Sequence, residues 1–219
     1  MLRRTKNSRL RSLRVEQLDN RLLLAGDCAV ALDSGGDLSI VCDNADNQIN
    51  VSENFLTGEL IVAGQLGTGI NGEVDGELNL GVVDLDDVTI RTRGGNDTVL
   101  INSVNADDVL IALGKGDDTV VAGFNEVSDD FVVRGGKGND NIGLLAITAG
   151  DRIRVNGGQG DDFVDLTLVE ATRLRMQGGV GNDTLNVNSA VGNLVASGFE
   201  IETGGEDDDD GPTLPPIFL

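Results

Sequence analysis

The sequence predicts an all-β fold, a parallel β-solenoid with about 22 residues per coil. Three observations predict it. A glycine-rich turn recurs five times: "RGGND" at 93–97, "LGKGDD" at 113–118, "GGKGND" at 135–140, "GGQGDD" at 157–162 and "GGVGND" at 178–183. The closing Asp of each falls at 97, 118, 140, 162 and 183, so the interval is always 21 or 22 residues. Apolar residues flank every turn with a period of two, as in a strand that buries one face.

The elements follow in order around one coil. The strand before each turn carries the inward pairs Val88/Ile90, Val109/Ile111, Phe131/Val133, Ile153/Val155 and Leu174/Met176. The strand after it carries Val99/Ile101, Val120/Ala122, Ile142/Leu144, Val164/Leu166 and Leu185/Val187. The unit is strand, turn, strand, bend, with no helical pattern of useful length between turns. One such unit cannot bury its apolar face alone, and stacking on its neighbours makes a continuous core. Two worn turns flank the set. "CDNADNQINV" (42–51) has Asn47 where an Asp would stand, and "GGEDDDDG" (204–211) has Asp207 where the third glycine should be. The division expected is a basic arm (1–26), a solenoid (27–205, core repeats 84–191) and an acidic, Pro-containing tail (206–219).

The glycines have a physical reason. A tight turn between strands needs left-handed or crowded backbone, which Gly adopts without a Cβ penalty. Missing side chains also leave room for carbonyl oxygens to converge between successive turns, and the Asp points into the same gap. Carbonyls plus carboxylates make an oxygen cage suited to a hard cation such as calcium. The candidate metal residues are Asp97, Asp118, Asp140, Asp162 and Asp183, with Asn96, Asp117, Asn139, Asp161 and Asn182 beside them. Gly95, Gly114, Gly116, Gly136, Gly138, Gly158, Gly160, Gly179 and Gly181 complete the cradle. Gly-Asn-Asp sequences also make metal-free turns, because Asn and Asp bond their own backbone. Stacked carboxylates repel, however, and a cation in each gap removes that cost.

The turns resemble the RTX (haemolysin-type) calcium-binding repeat, G-G-x-G-x-D-x-U-x. Residues 135–142, 157–164 and 178–185 match it fully. Residues 113–120 lack only the first Gly, which is Leu113, and residues 92–99 place Thr92 and Arg93 at Gly positions. The family runs its repeats in tandem with calcium on both edges. One turn per coil here implies calcium on one edge only. The resemblance also implies folding triggered by calcium outside the cell.

Composition narrows the chemistry. The chain of 219 residues has a formal charge of −21 and no His, Trp or Tyr. A His base, a Ser-His-Asp triad and a His-ligated zinc site are excluded. Nucleic acid is an unsuitable partner for so acidic a chain without a stacking platform. No run of 18 apolar residues exists to span a membrane. "LRVEQLDNRLLLAGD" (13–27) resembles the LEPR-xLL segment of exported bacterial surface proteins, through Glu16, Leu18, Asp19, Arg21, Leu22 and Leu23. Cys28 and Cys42 are open to two readings, one disulfide or two small buried hydrophobes.

The other bend has its own columns: Asp87, Asp108, Asp130, Arg152 and Arg173, preceded by Asp86, Asp107, Asp129, Asp151 and Thr172. Without a glycine cradle these read as a solvated edge, with Asp130 and Arg152 meeting across adjacent coils. The expectation is a right-handed, calcium-stabilised β-roll or β-helix. It would be a structural or adhesive module of an exported bacterial surface protein, not an enzyme. Its partners would be calcium and other surface proteins or polysaccharide. The rival is a β-helix polysaccharide lyase or epimerase, for which outward-facing Arg91, Arg134, Arg154 and Arg175 are the only candidates.

Overall fold

The computed structural model describes residues 26–203. The basic arm with most of its LEPR-xLL-like segment, the worn turn at 204–211 and the acidic tail lie outside the described residues. Within them the chain is a parallel β-solenoid of about five turns, with about 22 residues per turn.

Two parallel sheets form its long walls. The first stacks Leu38–Cys42, Asp87–Arg91, Asp108–Lys115, Asp130–Lys137, Thr148–Gln159, Val169–Val180 and Ala190–Ser197. The second stacks Gln48–Glu53, Thr98–Asn102, Thr119–Gly123, Asn141–Leu145, Phe163–Thr167, Thr184–Val187 and Glu200–Thr203. The register places Ile111 beside Val133, Val133 beside Val155 and Val155 beside Met176. The inward pairs expected from the alternation line the core, and all are buried except Val187, which is half-buried in the last full coil.

The bend is more than a bend. Asn105–Ala106 and Glu126–Val127 are short strands that pair in parallel with each other and with the start of Thr148–Gln159. They make a narrow third wall. Each corner before this wall is turned by a non-glycine residue with positive φ: Ser103 (55°), Phe124 (55°), Ala146 (52°) and Leu168 (55°). Left-handed backbone costs such residues about 1–2 kcal/mol each. Coil-to-coil bonds offset it, such as Phe124 N–H to Leu145 O at 2.9 Å. Buried Asn125 stands where Val104 and Ile147 stand in adjacent coils. It accepts from Val104 N–H (2.9 Å) and donates to Ile101 O (3.1 Å).

The N-terminal end departs from the repeat. Residues 38–53 form a coil of the stack, with Asn47 beside Asp97 although 50 residues separate them. The intervening segment is not solenoid. Glu59–Gln65 pairs antiparallel with Gln48–Glu53, and Glu77–Val82 pairs antiparallel with Glu59–Gln65. Gly26–Leu32 likewise pairs antiparallel with Leu38–Cys42. These reversed strands cover the first coil's open edges, which would otherwise template association.

Of the two readings open for the cysteines, the structure has the disulfide. Cys28 and Cys42 face each other in this antiparallel pair and are bonded, 14 residues apart. By loop-closure entropy a bridge over so short a loop is worth about 3 kcal/mol. Urea denaturation with and without reductant should show a loss of that order. A difference below about 0.5 kcal/mol, the range of ordinary surface changes, would show that the antiparallel cap holds without the bond.

Candidate metal centre

Each glycine-rich turn joins a first-wall strand to a second-wall strand, and the turns stack along one edge. At its second and fourth positions the backbone is left-handed, as at Gly136 (φ 122°) and Gly138 (φ 117°). A Cβ on Gly136 would lie 2.2 Å from Gly114 O, and one on Gly138 would lie 2.1 Å from Gly116 O. Coil meets coil here through backbone alone. The first turn deviates as its sequence requires, holding Arg93 at φ 72°.

The five predicted aspartates form one buried column. In each, Oδ1 accepts from a backbone N–H one coil earlier. Asp97 accepts from Asn47 (2.8 Å), Asp118 from Asp97 (2.7 Å), Asp140 from Asp118 (3.0 Å), Asp162 from Asp140 (2.9 Å) and Asp183 from Asp162 (2.9 Å). The neighbouring predicted residues form a second, outer column that runs the other way. Asn96 Oδ1 accepts from Asp117 N–H (3.0 Å), Asp117 from Asn139 (2.8 Å), Asn139 from Asp161 (2.8 Å) and Asp161 from Asn182 (2.8 Å). Two counter-running ladders therefore stitch the edge. The side chains bond across coils rather than to their own turn.

Half of each inner carboxylate is left over. Oδ2 of Asp97, Asp118, Asp140, Asp162 and Asp183 is buried without a hydrogen-bond partner. In the three full-motif turns a carbonyl of the next coil faces the same point, the place where a Cβ on the turn's first glycine would sit. At Gly135 that point is 2.2 Å from Asp140 Oδ2 and 2.5 Å from Gly157 O. At Gly157 it is 2.2 Å from Asp162 Oδ2 and 2.7 Å from Gly178 O. At Gly178 it is 2.5 Å from Asp183 Oδ2 and 2.1 Å from Gly198 O. Two acceptors thus border one point, and a proton on the carboxyl group or a cation beside it would relieve them. An unsatisfied buried polar group costs about 1–3 kcal/mol, more when charged.

The two earlier turns are built differently. Thr92 and Leu113 stand in register with Gly135, and both are buried. Thr92 Oγ1 donates to Leu113 O at 2.7 Å, so that carbonyl already has its donor. Leu113 puts an isobutyl group where the later turns have none. Among the described residues no three carboxylates converge, so any cage needs backbone carbonyls. The residues fit a calcium ion best at the three later turns, where a carboxylate oxygen and a carbonyl already face one another.

Burial drives the electrostatics. It pushes Asp118 and Asp140 up to about 7 and Asp162 up to about 6. Neighbouring carboxylates add to the rise, and the N–H donors of the ladder oppose it. Burial raises Asp97 also, against the pull of Asn47 and Thr92.

The opposite edge is arranged as its columns predict. Asp87 lies beside Asp108, Asp130 beside Arg152 and Arg152 beside Arg173. Arg152 pairs with Asp130, and Arg173 pairs with Asp151, a contact the sequence did not suggest. Asp86 and Asp87 are raised by desolvation first and then by Asp107, Asp108 and Asp37. Other features that escaped the sequence reading are the Thr92 hydroxyl bond and the buried Asn125. A polar residue in an apolar column was the signal for Asn125, and a hydroxyl residue at a glycine position was the signal for Thr92.

The fold and edge define a class, a parallel β-solenoid repeat protein with an aspartate ladder. Comparison with known protein families, curated proteins and solved structures finds no match.

A pH prediction follows for the protein in chelator. Asp97, Asp118, Asp140 and Asp162 bind protons more tightly folded than unfolded. Their contribution to stability is therefore complete below about pH 4 and is lost as pH rises through about 6–7. Melting in chelator should fall across that window, and excess calcium should flatten the fall. A chelated protein that instead gains stability from pH 4 to 7 would mean that the column is ionised at no cost.

Proposed function

We propose that the glycine edge binds calcium and that the protein is a calcium-stabilised structural or adhesive module of an exported bacterial surface protein. One observation carries the reading: in each full-motif turn a buried, unpartnered carboxylate oxygen faces a backbone carbonyl. The donors that would hold calcium are Oδ2 of Asp140, Asp162 and Asp183 with the carbonyls of Gly157, Gly178 and Gly198. These are hard oxygen ligands of the kind calcium takes. The likeness of the turns to the RTX repeat supports the same metal. The Cys28–Cys42 bond supports an oxidising compartment, and extracellular calcium modules work at about 10⁻⁴–10⁻³ M.

The energetics decide whether calcium would matter. At tenfold saturation each site adds about 1.4 kcal/mol by mass action. Three sites add about 4 kcal/mol, a large part of the 5–15 kcal/mol net stability typical of a domain. Chelation should therefore lower the melting temperature by many degrees. An unchanged melting curve would overturn the reading.

Asp140→Asn is the sharper test. Its Oδ1 retains the bond from Asp118 N–H, and its amide N–H can donate to Gly157 O. In chelator the variant should be at least as stable as the native protein, because it removes the buried orphan oxygen. In calcium it should be less stable, and isothermal titration should show fewer ions bound. Asp108→Ala on the opposite edge should leave the stoichiometry unchanged, and it should cost about 0.5–1.5 kcal/mol because Asp108 Oδ1 accepts from Asp130 N–H at 2.9 Å. Were Asp140→Asn less stable in both conditions by the same amount, the carboxylate would be serving the fold and no metal.

A further inference from the structure

We propose that the outer face of the first wall, over the coils of residues 130–180, binds a linear polysaccharide bearing carboxylate or sulfate groups. This proposal does not rest on the calcium reading, since the face is separate from the glycine edge.

Strand alternation creates the face. Ile153, Val155, Leu174 and Met176 point into the core, so Arg152, Arg154, Arg173 and Arg175 point outward between them. Register then sets Arg152 directly beside Arg173, and Arg154 directly beside Arg175. Adjacent strands lie about 4.8 Å apart, and like charges directly opposite are destabilising. Carboxylates of the protein relieve only one of these columns: Asp130 pairs with Arg152, and Asp151 pairs with Arg173. Among the described residues Arg134, Arg154 and Arg175 have no carboxylate partner. Among the same residues Arg91, Arg93, Lys115 and Lys137 have none either, but only here do unpaired guanidinium groups sit directly side by side, Arg154 against Arg175. Three guanidinium groups are thus held on one sheet face without an internal counter-ion, and an external anion supplies one.

The chemistry of the face selects the anion. Guanidinium forks bind carboxylate and sulfate oxygens bidentately. Asn156 and Gln177 continue the column of Arg134, and Gln177 Oε1 accepts from Arg154 at 2.9 Å. Amides interleaved with guanidinium groups suit a ligand that alternates hydroxyls with anionic groups. A nucleic acid suits it poorly, because these outward positions offer no aromatic ring for base stacking. The repeat of coils along the axis matches a polymer that repeats along its length, so several weak contacts add.

The test is isothermal titration of the full chain in calcium, with the fold checked by circular dichroism. The probes are short oligogalacturonates and short sulfated oligosaccharides, which separate carboxylate from sulfate as the anion. Neutral dextran, polyglutamate and single-stranded DNA are the controls. Binding to either anionic saccharide should weaken as salt rises. The double variant Arg154→Gln/Arg175→Gln should weaken it at least tenfold. Lys115→Gln, which removes a charge at the turn, should leave it unchanged. The proposal is overturned if neither anionic saccharide binds, or if Lys115→Gln weakens binding as much as the double variant does. It is also overturned if polyglutamate or single-stranded DNA binds more tightly than the saccharides, which would assign the face to a polypeptide or to nucleic acid.

Discussion

The structure depends on backbone approaching backbone at the glycine edge. Gly116 O lies 2.1 Å from where a Cβ on Gly138 would be, and Gly138 O stands equally close to the corresponding point on Gly160. No side chain can insulate one coil from the next there. The carbonyls and N–H groups of each turn must therefore find partners across the gap, and the short carboxylate or amide at the turn's end provides them. The inner column serves the coil before it and the outer column serves the coil after it. Stacking is thus hydrogen-bonded at the edge and hydrophobic in the middle. The same closeness that forces glycine also draws each Asp side chain in until it is buried. Its second oxygen is then left without a hydrogen-bond partner.

The two ends of the solenoid solve their edge problem differently. At the N-terminal end three antiparallel strands and a disulfide close the stack. At the other end the last described coil has a shorter turn: Thr184 is beside Glu200, and Gly198 is followed by Phe199 and Glu200. Asp183 is accordingly the last rung, and it accepts from Asp162 as its predecessors accept from theirs. In a repeat stack stability is close to a sum over neighbouring coils. A fault in the middle, at Asp140, therefore separates the half that carries the antiparallel cap from the coils after it.

Much of this was legible because repetition constrains phase. A period-two pattern in consecutive units at constant spacing leaves little freedom, so the inward pairs and the aspartate column could be read residue by residue. The insertion after Glu53 was hidden because the alternation of Leu60 and Val62 looks the same in an antiparallel strand as in a parallel one. The third wall was hidden because Asn105–Ala106 and Glu126–Val127 are too short to show any period. The cysteine pairing depended on the register of a reversed strand, which spacing alone does not set. Nor does sequence say which carboxylate oxygen a neighbouring N–H takes. The distinction between Oδ1 and Oδ2 appears only once coils are stacked.

The turns are also unequal along the axis in a way that bears on folding. Thr92 and Leu113 fill the place that Gly135, Gly157 and Gly178 leave open, and Thr92 supplies a donor of its own. Beneath them stands Asn47, a neutral amide in the column, whose Nδ2 donates to Ala45 O at 2.6 Å. The N-terminal coils therefore carry less unrelieved acceptor repulsion than the later ones, and they adjoin the disulfide-bonded cap. The later coils lack a cap among the described residues. The edge therefore changes character along the axis, filled by side chains in the earlier turns and made of backbone alone in the later ones. The boundary falls between Leu113 and Gly135, where one isobutyl group gives way to a single hydrogen.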